Sequence, residues 1–118
     1  MNAELRSILA LACAGALLTG CATPPTNEDL LREPVLLTLE TTKSVEAYAN
    51  CLQERWNAEM PVSGTARYPT GNTVVLRDPL ADTAVITPTA TGAKVEYREP
   101  AGWRMTALNP AQQVKDCK

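Results

Sequence analysis

Ser44-Val45-Glu46-Ala47-Tyr48-Ala49-Asn50-Cys51-Leu52-Gln53-Glu54-Arg55-Trp56-Asn57-Ala58-Glu59 is the stretch whose reading decides the fold. Val45, Tyr48, Ala49, Leu52 and Trp56 recur at the spacing of one buried helical stripe. Glu46, Asn50, Gln53, Glu54 and Asn57 fall on the opposite, wet side. Ser44 offers an N-cap hydroxyl, and Glu46 places a negative charge in the first turn, against the positive end of the helix dipole. Pro61, which has no N–H to donate, stops the helix. Cys51 lies at the margin of the apolar stripe, where its sulfur can reach a neighbouring element without leaving the core.

Upstream, Val35 to Thr41 alternates with Val35, Leu37 and Leu39 on one face, the pattern of a strand. Downstream of Pro61 the period changes from helical to short strands broken by turns. Ser63–Tyr68, Thr73–Arg77, Thr83–Thr87 and Ala93–Arg98 are the expected strands. Pro69-Thr70-Gly71-Asn72, Asp78-Pro79-Leu80-Ala81 and Thr89-Ala90-Thr91-Gly92 are the expected turns. Ala93–Arg98 alternates most cleanly, with Ala93, Val95 and Tyr97 inward and Lys94, Glu96 and Arg98 outward. Glycine-containing loops this short favour hairpins, hence an antiparallel meander. After a break at Pro100-Ala101-Gly102, Trp103–Leu108 reads as either loop or short edge strand. Asn109-Pro110-Ala111-Gln112 combines an N-cap Asn, Pro at the first helical position and Gln placed to close a capping box, so a short helix to Cys117 follows. The fold class is therefore α+β: an antiparallel sheet of four to five short strands, with one main helix and a short C-terminal helix packed on one face.

The other end of the chain carries a different signal. Arg6 and the α-amino group outweigh Glu4, and Ser7–Leu18 is almost entirely apolar. That run is too short to cross a ~30 Å hydrocarbon core, which takes about 20 apolar residues, but it fits the hydrophobic region of a secretory signal. Leu18-Thr19-Gly20-Cys21 then resembles the lipobox of bacterial lipoproteins at every position. The resemblance implies cleavage before Cys21, a diacylglyceryl group on its sulfur and acylation of the new amino group. Stable anchoring takes more than one acyl chain, and a triacylated Cys21 meets that requirement. Ala22, rather than Asp, follows the cysteine, which in the lipoproteins of enterobacteria favours the outer membrane. The alternative is an ordinary secretory signal cleaved near Ala22, with Cys21 incidental. The expected organisation is a signal peptide over 1–20, a lipidated Cys21 with a flexible Pro/Thr-rich tether over 21–34, in which Asp29-Leu30-Leu31-Arg32 can make a turn, and a periplasmic domain over 35–118.

Removing the first 20 of 118 residues leaves 98, enough for one small domain. The net charge of −2 at pH 7 is unchanged, because Glu4 and Arg6 leave together. No basic patch suited to nucleic acid is visible. The chain has no His, which removes the commonest general base and metal ligand. Of the four cysteines, Cys13 is discarded and Cys21 is the anchor. Cys51 and Cys117 remain as an even pair in an oxidising compartment and are expected to form a disulfide rather than two free thiols or part of a metal site.

Two further resemblances bear on function. Ala49-Asn50-Cys51-Leu52 with Arg55-Trp56, the Tyr97-Arg98 pair and the late cysteine are similar to a group of small proteobacterial lipoproteins; this implies a disulfide-bonded α+β domain on a lipid anchor. Ser63-Gly64-Thr65-Ala66-Arg67-Tyr68 is similar to a Ser-Gly-Ala-Arg-Tyr-like stretch of membrane-bound C-type lysozyme inhibitors. Those are all-β barrels, and the order of helix and strands here departs from them. Arg67 and Tyr68, with Trp103 after its Pro-Ala-Gly break, are the candidate partner-binding residues. Trp56, Tyr48 and Tyr97 are expected in the core, where large aromatics dominate burial. Asp78 and Asp82 flank a Pro-Leu turn and read as solvated turn residues. The arginines at 67, 77, 98 and 104 read as a scattered solvated set. Ser44 beside Lys43 reads as an N-cap and not as a serine-lysine pair. No catalytic residue, cofactor or metal is expected. The expected function is a non-enzymatic interaction or assembly module on the outer membrane, facing the periplasm, with an envelope protein as partner. The alternative is an inhibitor of a cell-wall hydrolase.

Overall fold

A computed structural model describes residues 25–60, 64–102 and 108–118. The elements in chain order are α1 (Asn27–Leu31), β1 (Leu37–Thr41), α2 (Val45–Glu59), β2 (Ala66–Thr70), β3 (Thr73–Arg77), β4 (Thr83–Pro88), β5 (Ala93–Arg98) and α3 (Pro110–Asp116). The strands form one five-stranded sheet of order β1-β5-β4-β3-β2, with every pair antiparallel. The expected α+β class is therefore present, with both expected helices and a fifth strand supplied by β1.

The meander β2 to β5 follows from its short loops. Gly71 takes φ 60° and is followed by Asn72 at negative φ, which is the geometry of a II′ turn with Gly at its first central position. This tight turn leaves Pro69 and Thr70, expected in the turn, as strand residues paired with Val74 and Thr73. β1 does not join the next strand in sequence; it pairs with β5, Leu37 opposite Tyr97 and Leu39 opposite Val95. α2 links β1 at one edge to β2 at the other, so it must span the sheet. Four inter-strand gaps amount to about 19 Å, and 15 residues of helix to about 22 Å, so its length matches the crossing.

α2 begins as expected, with Ser44 Oγ accepting from Ala47 N at 3.1 Å. Tyr48, Ala49, Leu52 and Trp56 are buried and meet Val74, Leu76, Ala84, Ile86, Ala93, Val95 and Tyr97 of the sheet in one core cluster. The rings of Trp56 and Tyr97 meet edge to face, with centroids 6.4 Å apart. Two buried loop groups are also satisfied from α2: Thr65 N donates to Asn57 Oδ1 at 2.6 Å, and Gln53 Nε2 donates to Thr65 O at 3.0 Å.

Residues 25–34, read from composition as part of the tether, hold α1. Thr26 Oγ1 accepts from Asp29 N at 3.2 Å, and Asp29 Oδ2 accepts from Thr26 N at 3.0 Å, which closes a capping box. These bonds to Thr26 hold the Asp29 carboxyl below its ordinary value. Leu30 is buried. Arg77 and Arg98 share the sheet face opposite α2, since Thr83 is registered between them and Tyr97 points the other way. Arg77 Nη1 donates to Asn27 Oδ1 at 3.2 Å, and Arg98 Nε donates to Glu33 O at 3.1 Å. The two arginines thus bind the N-terminal segment across the outer face of the sheet.

Candidate functional site

The first site is the clamp between α2 and α3. Asn109 accepts from Gln112 N at 3.2 Å and Pro110 opens the helix, as its sequence requires. The side chain of Gln112 does not close the capping box; it donates to Asp116 Oδ1 at 2.9 Å. Cys51 and Cys117 are joined in a disulfide. Around it, Tyr48 donates its hydroxyl to Val114 O at 2.6 Å and Trp56 donates Nε1 to Pro110 O at 3.3 Å. Burial pushes the Tyr48 hydroxyl above the ordinary tyrosine value, so it remains a donor. Lys43 Nζ donates to Cys117 O at 2.7 Å, at the negative end of α3. Both members of the Ser44–Lys43 pair are therefore engaged separately. The polar handles of two core aromatics and the adjacent lysine all serve to seat the last helix.

The second site is the β3–β4 turn, where the structure overturns the reading of Asp78 and Asp82 as solvated. Both are buried, Asp82 to 1% exposure. Asp78 Oδ1 accepts from Leu80 N and Asp82 N, each at 2.9 Å, and its own N–H donates to Asp82 O at 3.0 Å. Pro79 follows Asp78, Ala81 N donates to Asp78 O at 3.0 Å, and Ala81 then takes φ 66°. This is a type I turn followed by a left-handed residue, at the position that usually holds Gly. Desolvation, then the hydrogen bond and charge of Asp82, push the Asp78 carboxyl up from 3.8 to about 8. The Asp78–Asp82 pair therefore keeps a proton well above the ordinary carboxylate range. Tyr97 lies beside the pair, its hydroxyl 3.4 Å from Asp82 Oδ1 and 2.9 Å from Glu99 Oε1. A protonated carboxyl at a turn has the chemistry of a general acid. Its backbone bonds show that it also closes the hairpin.

The third site is the β2–β3 corner. Arg67 and Tyr68 are adjacent in sequence, so they project from opposite faces of β2. Arg67 turns toward α2: Nη1 donates to Glu46 Oε1 at 2.8 Å and Nη2 to Asn50 Oδ1 at 2.7 Å. It braces an edge strand against the helix. Tyr68 stands on the outer face at 40% exposure and, with Gly64, Ala66, Arg77, Asp78 and Pro79, lines a shallow cavity of about 190 Å³. The structure thus separates Arg67 from Tyr68 and brings Tyr68 to Asp78, a pairing that no local signal announces. Cys21 and Trp103 lie outside the described residues, as do residues 1–20, expected to be a signal peptide, Ser63 and Arg104.

Among the described residues no group of three or more His, Cys, Asp or Glu could hold a metal ion, and no helix is long and apolar enough to cross a membrane. In comparison with known proteins, no family model, no curated protein and no solved structure matches this chain.

Proposed function

We propose that this protein is a lipid-anchored module of the bacterial envelope, held in the outer membrane through Cys21 and facing the periplasm, that acts by binding an envelope protein rather than by catalysis. The observation that carries the reading is the Cys51–Cys117 disulfide. A structural cystine belongs to an oxidising compartment, and the lipobox-like Leu18-Thr19-Gly20-Cys21 points to the same compartment from a separate part of the chain. The binding reading is supported by how the reactive groups are spent. Ser44 caps a helix, Lys43 holds Cys117 and Arg67 braces β2. Tyr68 remains presented beside a cavity at the corner of the sheet. An exposed tyrosine offers a large apolar area and a polar tip at little cost in entropy, which suits a contact residue.

The experiment is capture from envelope extracts with the acylated protein, crosslinked before solubilisation. A defined partner lost on Tyr68→Ala, with the fold unchanged by circular dichroism, supports the reading. Retention of the same partner by Tyr68→Ala removes the corner as the binding surface. Inhibition of a lysozyme at low molar ratio would move the function to the hydrolase-inhibitor alternative.

A further inference from the structure

We infer that Leu31, Val35 and Leu36 form a foot that rests on the bilayer holding the acyl chains of Cys21, so that the domain sits on the membrane in a fixed orientation. The inference rests on the lipid-anchor reading and adds a second membrane contact to it. Among the described residues four large hydrophobic side chains are exposed, and three of them are Leu31 at 42%, Val35 at 38% and Leu36 at 57%. Single exposed apolar residues need no explanation, but three within six consecutive positions do.

These side chains are not on a loose tail. The backbone that carries them is fixed at three points. Leu30 is buried, Glu33 O accepts from Arg98 Nε at 3.1 Å, and Leu36 N donates to Tyr97 O at 2.9 Å. The chain pays for ordering this segment while leaving its apolar residues in water, which makes sense if something covers them. Both hydrogen bonds are made with β5 and fix the segment against the sheet.

The length of chain identifies the occupant. Nine residues lie between Cys21 and Leu31, and those from Pro25 on belong to the folded segment that carries α1. The four steps from Cys21 to Pro25 can reach no more than about 14 Å, so α1 starts close to the anchor. The foot is therefore confined to the neighbourhood of the headgroups by the anchor itself. A short tether also supplies an effective concentration of order mM, so a weak intrinsic affinity is enough to keep the foot down. Glu28, Asp29 and Glu33 surround the single Arg32, so the attraction is apolar and not a pull toward anionic lipid. It should persist in high salt, which screens charge but not apolar burial.

The test uses the acylated full-length protein in vesicles of phosphatidylethanolamine with a minor fraction of phosphatidylglycerol. A nitroxide is introduced through an unnatural amino acid at position 36 or, as reference, at Ala90 in the β4–β5 loop. Acylation of Cys21 is checked by mass spectrometry on the same sample. The expected result is that an aqueous nickel chelate collides with the label at 36 severalfold less than with the label at 90. Leu31→Glu with Val35→Glu should restore the collisions without altering acylation or the disulfide. If Cys21 is acylated and the two labels are equally accessible, the foot is wrong and the anchor stands. If Cys21 carries no lipid, both fall. If the label at 36 is shielded from the chelate and equally from lipid-dissolved oxygen, a protein covers the patch and the bilayer is overturned as its occupant.

Discussion

Gly92 shows how little freedom a single position can have. A Cβ built there falls on the carbonyl oxygen of Thr41 and within 2.8 Å of Thr42 Cα, both backbone atoms at the end of β1. Gly92→Ala must therefore push β1 away from β5. A loss of about 2–4 kcal/mol in urea-monitored stability is expected, together with reduced amide protection in β1. Asp78 gives a pH-dependent counterpart. Its folded-state value of about 8 lies above the ordinary 3.8, so between these limits the folded protein binds more protons than the unfolded chain. The stabilisation from this group is thus complete below the lower limit and is lost as pH rises through the upper one. Asp82, whose hydrogen bond and charge help to raise it, is its carboxylate neighbour. Asp78→Asn keeps an oxygen for the two backbone N–H groups and replaces the proton donor with an amide. Urea titrations from pH 5 to 9 should show stability falling for the natural protein and a flatter line for the variant. Equal slopes would refute the shared-proton reading. These aspartates were not legible in the sequence, because Asp-Pro at a turn is the ordinary signature of a solvated bend. The contact between Asp82 and the Tyr97 hydroxyl, 15 positions along the chain, is one that no local pattern announces.

At the scale of elements, α3 depends on what holds it. It has seven residues, too few to persist alone in water. The disulfide closes a loop with a sequence separation of 66, for which the chain-entropy model gives about 4 kcal/mol. Cys51→Ala with Cys117→Ala should lower stability by about 2–4 kcal/mol. Amide exchange in α3 should accelerate more than in β3 to β5; uniform acceleration would show that α3 unfolds only with the whole. β2 illustrates how an edge is protected. In a hairpin closed by Thr70 and Thr73, the main-chain groups of Arg67 and Pro69 face the open side, and Pro69 has no N–H to offer a further strand. Pro69→Val should therefore promote self-association, visible by light scattering at concentrations where the natural protein is monodisperse. α2, β3, β5 and α3 were readable because periodicity and capping chemistry act over a few residues. β2 was displaced because the II′ turn at Gly71-Asn72 draws Pro69 and Thr70 into the strand.

For the molecule as a whole, the fold class follows from the order of the elements, but the sheet order does not. That β1 closes against β5 depends on α2 being long enough to cross the sheet, a matching of two lengths that no local pattern encodes. The N-terminal segment was hidden for a similar reason: its prolines and charges read as linker, while Arg77 and Arg98, set apart in sequence, bind it to the outer face. The molecule is thus a core sealed on one side by a cystine-clamped helix pair and crossed on the other by the segment that leads back to Cys21. The intact mass of the protein isolated from membranes under non-reducing conditions tests this most directly. A chain beginning at Cys21, heavier by diacylglyceryl and one further acyl group and lighter by the two hydrogens of one cystine, is expected. A chain that carries no lipid, or one with Cys51 and Cys117 as free thiols, would contradict it.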